Sequence, residues 1–188
     1  MIDLGGLLAE IYANPDDDGA RAVYADALLE RGDVRGELIL AQLRGSRAVG
    51  LIDQHGSAWL GPLAAITLRV EFERGFPARL AIDCTRADTL TRVAMDPRWS
   101  TIQLVELGGH VRVDDRDLEP SEDPPGLSRY AAAEARNRRL ERTRRRLLEQ
   151  HQTAAIVTLA TAPGAARREF RPSLTQLAER EARRNVRK

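Results

Sequence analysis

At 188 residues and 20.9 kDa, with 43% hydrophobic and 30% charged side chains, the chain has the size and composition of one globular domain, or of one domain with a flanking module. A single cysteine, Cys84, excludes an internal disulfide and a cysteine-built zinc site, and no apolar run approaches the roughly 18–20 residues of a membrane-spanning helix. The net charge of +1 hides a division: residues 1–128 hold 13 arginines against 22 acids, a net −9, whereas residues 129–188 hold 15 arginines and Lys188 against six glutamates, a net +10.

The segment Met1-Ile2-Asp3-Leu4 carries an acid where a secretory leader would be basic, and no apolar stretch follows, so a cytoplasmic chain is expected. Leu4, Leu7, Leu8 and Ile11 fall at helical spacing, and Asn14-Pro15 ends that helix. Asp16, Asp17 and Asp18 supply caps and favourable charge for a second helix, whose inner face reads Val23, Tyr24, Ala27 and Leu28. Gly32 suits the left-handed position after Arg31, and Asp33 restarts a third helix through Leu38, Ile39 and Leu43. The period then changes. Ile66, Leu68, Val70 and Phe72 alternate with polar residues as in a half-buried strand, Arg74-Gly75-Phe76-Pro77 breaks it, and Leu80 with Ile82 continues a shorter one. Thr85 and Asp88 have capping-box spacing before a short helix that closes at Asp96-Pro97, and Thr101 to Leu107 reads as the next strand. Residues 79–107 thus read as strand, helix, strand at the spacing of a leucine-rich-like repeat.

Residues 114–128 form an acidic, proline-rich linker. Arg129 to about Gln150 reads as one basic helix, Ala154 to Ala160 as a short buried strand, and Pro172, Ser173 and Gln176 as the cap of a last helix ending near Arg184, before a frayed tail. The expected organisation is a helical module at 1–50, an α/β segment at 51–113, the linker at 114–128 and a basic helix, strand and helix at 129–188. The fold class is α+β or α/β, with a small sheet and a long basic C-terminal helix.

The carboxylates Asp16, Asp17 and Asp18 are consecutive rather than alternate and lack a closing ligand, so capping explains them better than a cation, and no metal or cofactor is expected. Asp115 and Asp117 alternate but sit in the linker. The three histidines, His55, His110 and His151, share no spacing, and no nucleophile elbow, phosphate loop or zinc motif is present, so no catalysis is expected. Two charged sets remain. Asp16, Asp17, Asp18, Arg21, Asp26, Arg31, Asp33, Arg35 and Glu37 form an ion-rich network that either braces the helices or offers a docking surface to a protein partner. Arg138, Arg139, Arg142, Arg144, Arg145, Arg146, Arg167, Arg168 and Arg171 form a basic set suited to phosphates or an acidic partner. Arg138, Arg142 and Arg146 repeat at four-residue steps on one helix face, while Glu134 and Glu141 each precede an arginine by four. No aromatic interleaves with them, which disfavours single-strand stacking.

The stretch 14–43, NPDDDGARAVYADALLERGDVRGELILAQL, resembles the bacterial repeat-companion domain of myxobacterial and planctomycete type. The likeness rests on Asn14-Pro15-Asp16-Asp17-Asp18, Tyr24-Ala25-Asp26, Glu30-Arg31-Gly32-Asp33 and Arg35-Gly36-Glu37, with Ala27 where the family has tryptophan. Trp59-Leu60-Gly61-Pro62-Leu63 and Glu73-Arg74-Gly75-Phe76 resemble the segment that follows it, which leads into leucine-rich-like repeats. The resemblance implies a companion to protein-interaction repeats and no catalytic activity. The expectation is therefore a non-catalytic adaptor of a larger bacterial assembly, docking through its charged N-terminal module and its arginine-rich arm. The alternative is a nucleic-acid-binding subunit that uses the arm on phosphates. No membrane partner is expected.

Overall fold

A computed structural model describes residues 3–118, 120 and 128–172. Helix α1 (Leu4–Ala13) starts where the Asp3 carboxylate accepts from the Gly5 N–H at 3.0 Å, and stops at Asn14 before Pro15. The Asp17 carboxylate accepts from the Ala20 N–H at 3.0 Å and caps α2 (Asp18–Leu29). After Gly32, whose φ of +72° needs no side chain, Asp33 accepts from the Arg35 N–H at 2.9 Å at the head of α3 (Arg35–Leu43). Helix α4 (Val49–Leu60) follows, a segment whose pattern the sequence does not disclose.

Among the described residues four strands make one sheet: β1 (Thr67–Glu73), β2 (Phe76–Asp83), β3 (Leu104–Gly108) and β4 (Glu169–Pro172), in spatial order β1-β2-β3-β4. β1 and β2 are an antiparallel hairpin; β2, β3 and β4 run parallel. Helix α5 (Ala87–Val93) joins β2 to β3, and α6 (Arg129–Leu159) joins β3 to β4. The strand–helix–strand unit expected over 79–107 is present, and α6 with β4 adds a second crossover of the same kind. The class is α+β, with a mixed four-stranded sheet and a long C-terminal helix.

Two apolar clusters meet at α3. Ile11, Ala20, Tyr24, Ala25, Leu28, Ile39 and Phe76 form the smaller. Leu38, one residue before Ile39, belongs to the larger, which gathers Leu63, Ile66, Leu80, Ile82, Trp99, Ile102, Val105, Leu148 and Leu159 against one face of the sheet. The neighbouring positions Leu38 and Ile39 on one helix thus tie the N-terminal module to the sheet.

Several expectations are corrected. Val23 is 54% exposed, because Arg21 and Ala25 fill the buried face of α2 beside Tyr24 and Leu28. Leu68 is 58% exposed, because a bulge between Thr67 and Arg69 leaves it as the extra residue and turns it outward. Phe76 and Pro77 begin β2 rather than breaking it; a register shift where Phe72 faces Pro77 accommodates the missing N–H. Thr85 does not cap α5, since its N–H and hydroxyl both donate to the Asp83 carboxylate. The strand expected from Thr101 begins at Leu104, because Pro97–Thr101 makes a 3-10 turn capped by Asp96. Ala154 to Ala160 is not a strand but the end of α6 and its cap, with Ala155 and Leu159 buried and Val157 67% exposed. The last expected helix, and residues 121–127 of the linker, lie outside the described residues.

In a strand, residues 157 and 159 would share a face; on α6 they do not. Leu159→Ala is therefore expected to lower unfolding stability by about 2–5 kcal/mol, and Val157→Ala by less than about 0.5 kcal/mol. Urea unfolding followed by circular dichroism reads both.

Candidate interaction surfaces

The N-terminal charges close on the chain's own β1–β2 turn. Gly75 has φ +80°, and a Cβ there would collide with Ile39. Gln42 holds the turn from both ends: its amide donates to the Phe72 carbonyl at 2.9 Å, and its Oε1 accepts from the Gly75 N–H at 2.7 Å. The next residue, Phe76, carries two guanidiniums over its ring, Arg21 at 4.6 Å and Arg35 at 4.5 Å from the centroid. Arg21 donates to the carbonyls of Arg74 at 2.8 Å and Pro15 at 2.6 Å; Arg35 donates to that of Gly75 at 3.4 Å. Burial, together with the nearby Arg74 charge, lowers the Arg21 pKa to about 10, still well above neutral pH, and burial lowers that of Arg35.

Outside the turn, Arg74 pairs with Asp16 at 3.5 Å and Asp18 at 3.2 Å, and Asp16 also pairs with Arg167. Burial raises the Asp16 pKa, but the hydrogen bonds and charges of Arg167 and Arg74 outweigh it and hold the carboxyl below the ordinary aspartate range. Of the docking set read from sequence, then, Arg21 and Arg35 are buried, Asp16 and Asp18 face Arg74, Asp17 caps α2, and Asp33 accepts from the Arg35 N–H at the head of α3. Asp26, Arg31 and Glu37 remain on the surface.

The sheet brings together residues that are far apart in sequence. Register aligns Arg69, Ala81, Glu106 and Arg171 in one row across all four strands, and Glu71, Arg79, Leu104 and Glu169 in the next. The intervening row, Val70, Leu80, Val105 and Phe170, turns the other way, into the core beneath the helices. On the open face, buried Glu106 accepts from Arg69 at 2.7 Å. Arg79 lies between Glu71 at 3.3 Å and Glu73 at 3.4 Å. Arg171 donates two bonds of 2.8 Å to Glu169; this hydrogen bonding holds the Glu169 pKa down and that of Arg171 up. A shallow hollow of about 200 Å³ lies among Arg69, Glu71, Arg79, Glu106 and Arg171, floored by Ala81 and Leu104. Of these, only Arg171 stands out in the sequence. The polar half of the β1 alternation is the available signal for the others, but the rows exist only once register is known.

The basic set divides. Arg168 is not a surface residue: it donates to the carbonyls of Leu159 at 3.1 Å, Trp99 at 2.8 Å and Pro163 at 2.6 Å, and lies 4.9 Å from the Trp99 ring centroid. Burial lowers its pKa to about 10. Arg167 faces Asp16 and Arg171 belongs to the sheet. On α6, Arg139 and Arg144 are half-buried, and Arg146 donates to the Asp117 carbonyl at 3.5 Å. Arg138, Arg142 and Arg145 are exposed; Arg138 pairs with Glu134 at 2.9 Å.

Among the described residues, no cluster of three His, Cys, Asp or Glu side chains is placed to hold a metal ion, and no helix is long and apolar enough to cross a membrane. Cys84 is buried, and burial beside Asp83 pushes its pKa up to about 11. Comparison of the chain with protein-family models, curated proteins and solved structures finds no match.

Two outcomes test the clasp. Phe76→Ala is expected to cost about 3–5 kcal/mol in denaturant unfolding, since it also strips two buried guanidiniums of their ring. Asp16→Asn is expected to cost under about 1 kcal/mol at pH 7, its pairs being exposed. A depressed carboxyl pKa stabilises the fold above the unfolded value near 3.9, and that stability is lost as the pH falls through the folded value. The gap between wild type and Asp16→Asn in thermal unfolding should therefore close on acidification through and below that range.

Proposed function

We propose that this chain is a non-catalytic protein-interaction module that presents the open charged face of its sheet to a protein partner within a larger assembly. The observation that carries the reading is the pair of charged rows across β1 to β4, with the helices packed behind the opposite face. Three parallel strands added in chain order, each linked by a helix on one side, make the kind of extended surface that repeat proteins use for recognition. The resemblance of residues 14–43 to repeat-companion domains supports the same reading. In it, the N-terminal module serves as a cap that grips the first hairpin, and its arginines brace the sheet instead of meeting the partner.

The rows mix both signs, so the fitting partner is a protein surface of interleaved charge, bound in a salt-sensitive way. The chain's reactive side chains favour recognition over bond-making. Cys84 is buried with a raised pKa, His55 lies tilted against Trp59 at 5.5 Å between ring centroids, His110 is in the loop after β3 and His151 is on α6.

The test is quantitative co-purification from native lysate with the full chain and an Arg79→Glu/Arg171→Glu variant. A partner held by wild type and lost from the variant is expected, with hydrogen-exchange protection in the complex at 69–71, 79–81 and 104–106. Co-purification unchanged by the two reversals, or protection elsewhere only, would overturn the reading.

A further inference from the structure

The outward face of α6 is a second surface that the sheet reading leaves unused. Over 31 residues α6 carries eight arginines against three glutamates. Its inner side, through Leu148, Ala155 and Leu159, joins the core beneath the sheet, so the helix packs on the opposite side of the sheet from the charged rows. Arg138, Arg142 and Arg145 stand exposed there at steps of four and three residues. We infer that this face binds the phosphate backbone of duplex DNA.

Three features select that occupant. First, every exposed side chain between Arg136 and Arg146 is polar. A protein-binding centre draws on aromatic or aliphatic anchors, and a membrane-surface helix needs an apolar face; this stretch offers neither. Second, no aromatic side chain stands between Arg136 and Arg146, so stacking of single-stranded bases has no platform there. Third, the cations are arginines, whose planar fork matches phosphate oxygens. From Arg138 to Arg145 the helix rises about 10 Å, the axial length of about three phosphates on one strand of B-form DNA. The B-form major groove admits a helix, whereas that of A-form RNA is too deep and narrow for side chains to read. The Arg138–Glu134 pair is exposed and weak, so a phosphate can replace the carboxylate.

The experiment is fluorescence anisotropy of the full chain with a labelled 20-base-pair DNA duplex across a salt series. Wild type is expected to bind with a steep salt slope. Arg138→Gln/Arg142→Gln/Arg145→Gln is expected to bind at least about 10-fold more weakly at 0.1 M salt, with the slope reduced by about 2.7, that is, about 0.9 for each phosphate left without its arginine. An unchanged thermal midpoint shows the fold intact; should the triple variant misfold, Arg142→Gln alone is expected to lower the slope by about 0.9. Arg79→Glu/Arg171→Glu should bind DNA as wild type does, which separates this surface from the sheet. No anisotropy rise with wild type up to about 100 µM, equal binding by the triple variant, or tighter binding to duplex RNA or polyglutamate would each overturn the inference.

Discussion

The fold depends on one buried contact, the Phe76 ring beneath the guanidiniums of Arg21 and Arg35. Taking two cations out of water is costly, and neither guanidinium makes a direct salt bridge among the described residues; Asp16, Asp18 and Asp33 act on them only through space. Main-chain carbonyls and the ring face offset the cost instead: Arg21 takes the oxygens of Pro15 and Arg74, and Arg35 takes that of Gly75. A desolvated cation over an aromatic face is worth about 2 kcal/mol. This demands a turn whose carbonyls point at the helices. It explains a positive φ at both Arg74 and Gly75, and a residue without Cβ where Ile39 presses closest. The turn starts the hairpin, and β2 seeds the parallel pairing with β3. The charged rows on the open face thus inherit their alignment from a contact on another part of the molecule.

Arg168 repeats the device at the other end of the chain. It lies over Trp99 and gathers the carbonyls of Leu159, Trp99 and Pro163, so the end of α6, the turn before β3 and the entry to β4 converge on one side chain. Lysine could not substitute in any of these three places, since one ammonium cannot stack flat on a ring while donating to separated oxygens. The arginine-rich composition therefore serves the interior as well as the surface. Among the described residues, the opposed charges of the two parts of the chain meet where Asp16 pairs with Arg167 and where Glu106 faces Arg171, and Arg138, Arg142 and Arg145 on α6 face solvent.

The local signals are legible because they act within a few residues. The Asp17 cap, the stop at Asn14-Pro15, the restart at Asp33 and the alternation of β1 from Val70 onward each need only a short window; the bulge that turns Leu68 outward does not show in it. The failures come from contacts that close long loops. Arg69, Ala81, Glu106 and Arg171 span about a hundred residues, and no pattern within any one strand announces the row they make. Arg168 sits beside Arg167 in a basic string, and nothing local distinguishes a buried arginine from its exposed neighbour. The run Ala154 to Ala160 reads as a strand by composition, yet the helix that enters it continues, because Ala155 and Leu159 bury one side while Val157 tolerates water. The repeat-companion likeness points to the charges of residues 14–37; the part that Asp16, Asp18, Arg21 and Arg35 play in gripping the 74–76 turn emerges only in three dimensions.

The two surfaces differ in physical character, and this bears on what a chain carrying both can do. On the sheet, cation and anion alternate and each arginine already has a carboxylate partner, so a protein binding there must exchange ion pairs rather than supply new charge. Its gain lies in register and specificity more than in raw attraction. On α6 the excess is of one sign, and binding there releases counterions, giving affinity with little selectivity and a strong dependence on salt. α6 packs on the core side of the sheet and the charged rows open on the other, so the two surfaces share no residue. A partner chosen by the sheet could therefore be held beside a polyanion bound non-selectively on α6, with specificity supplied by one face and localisation by the other.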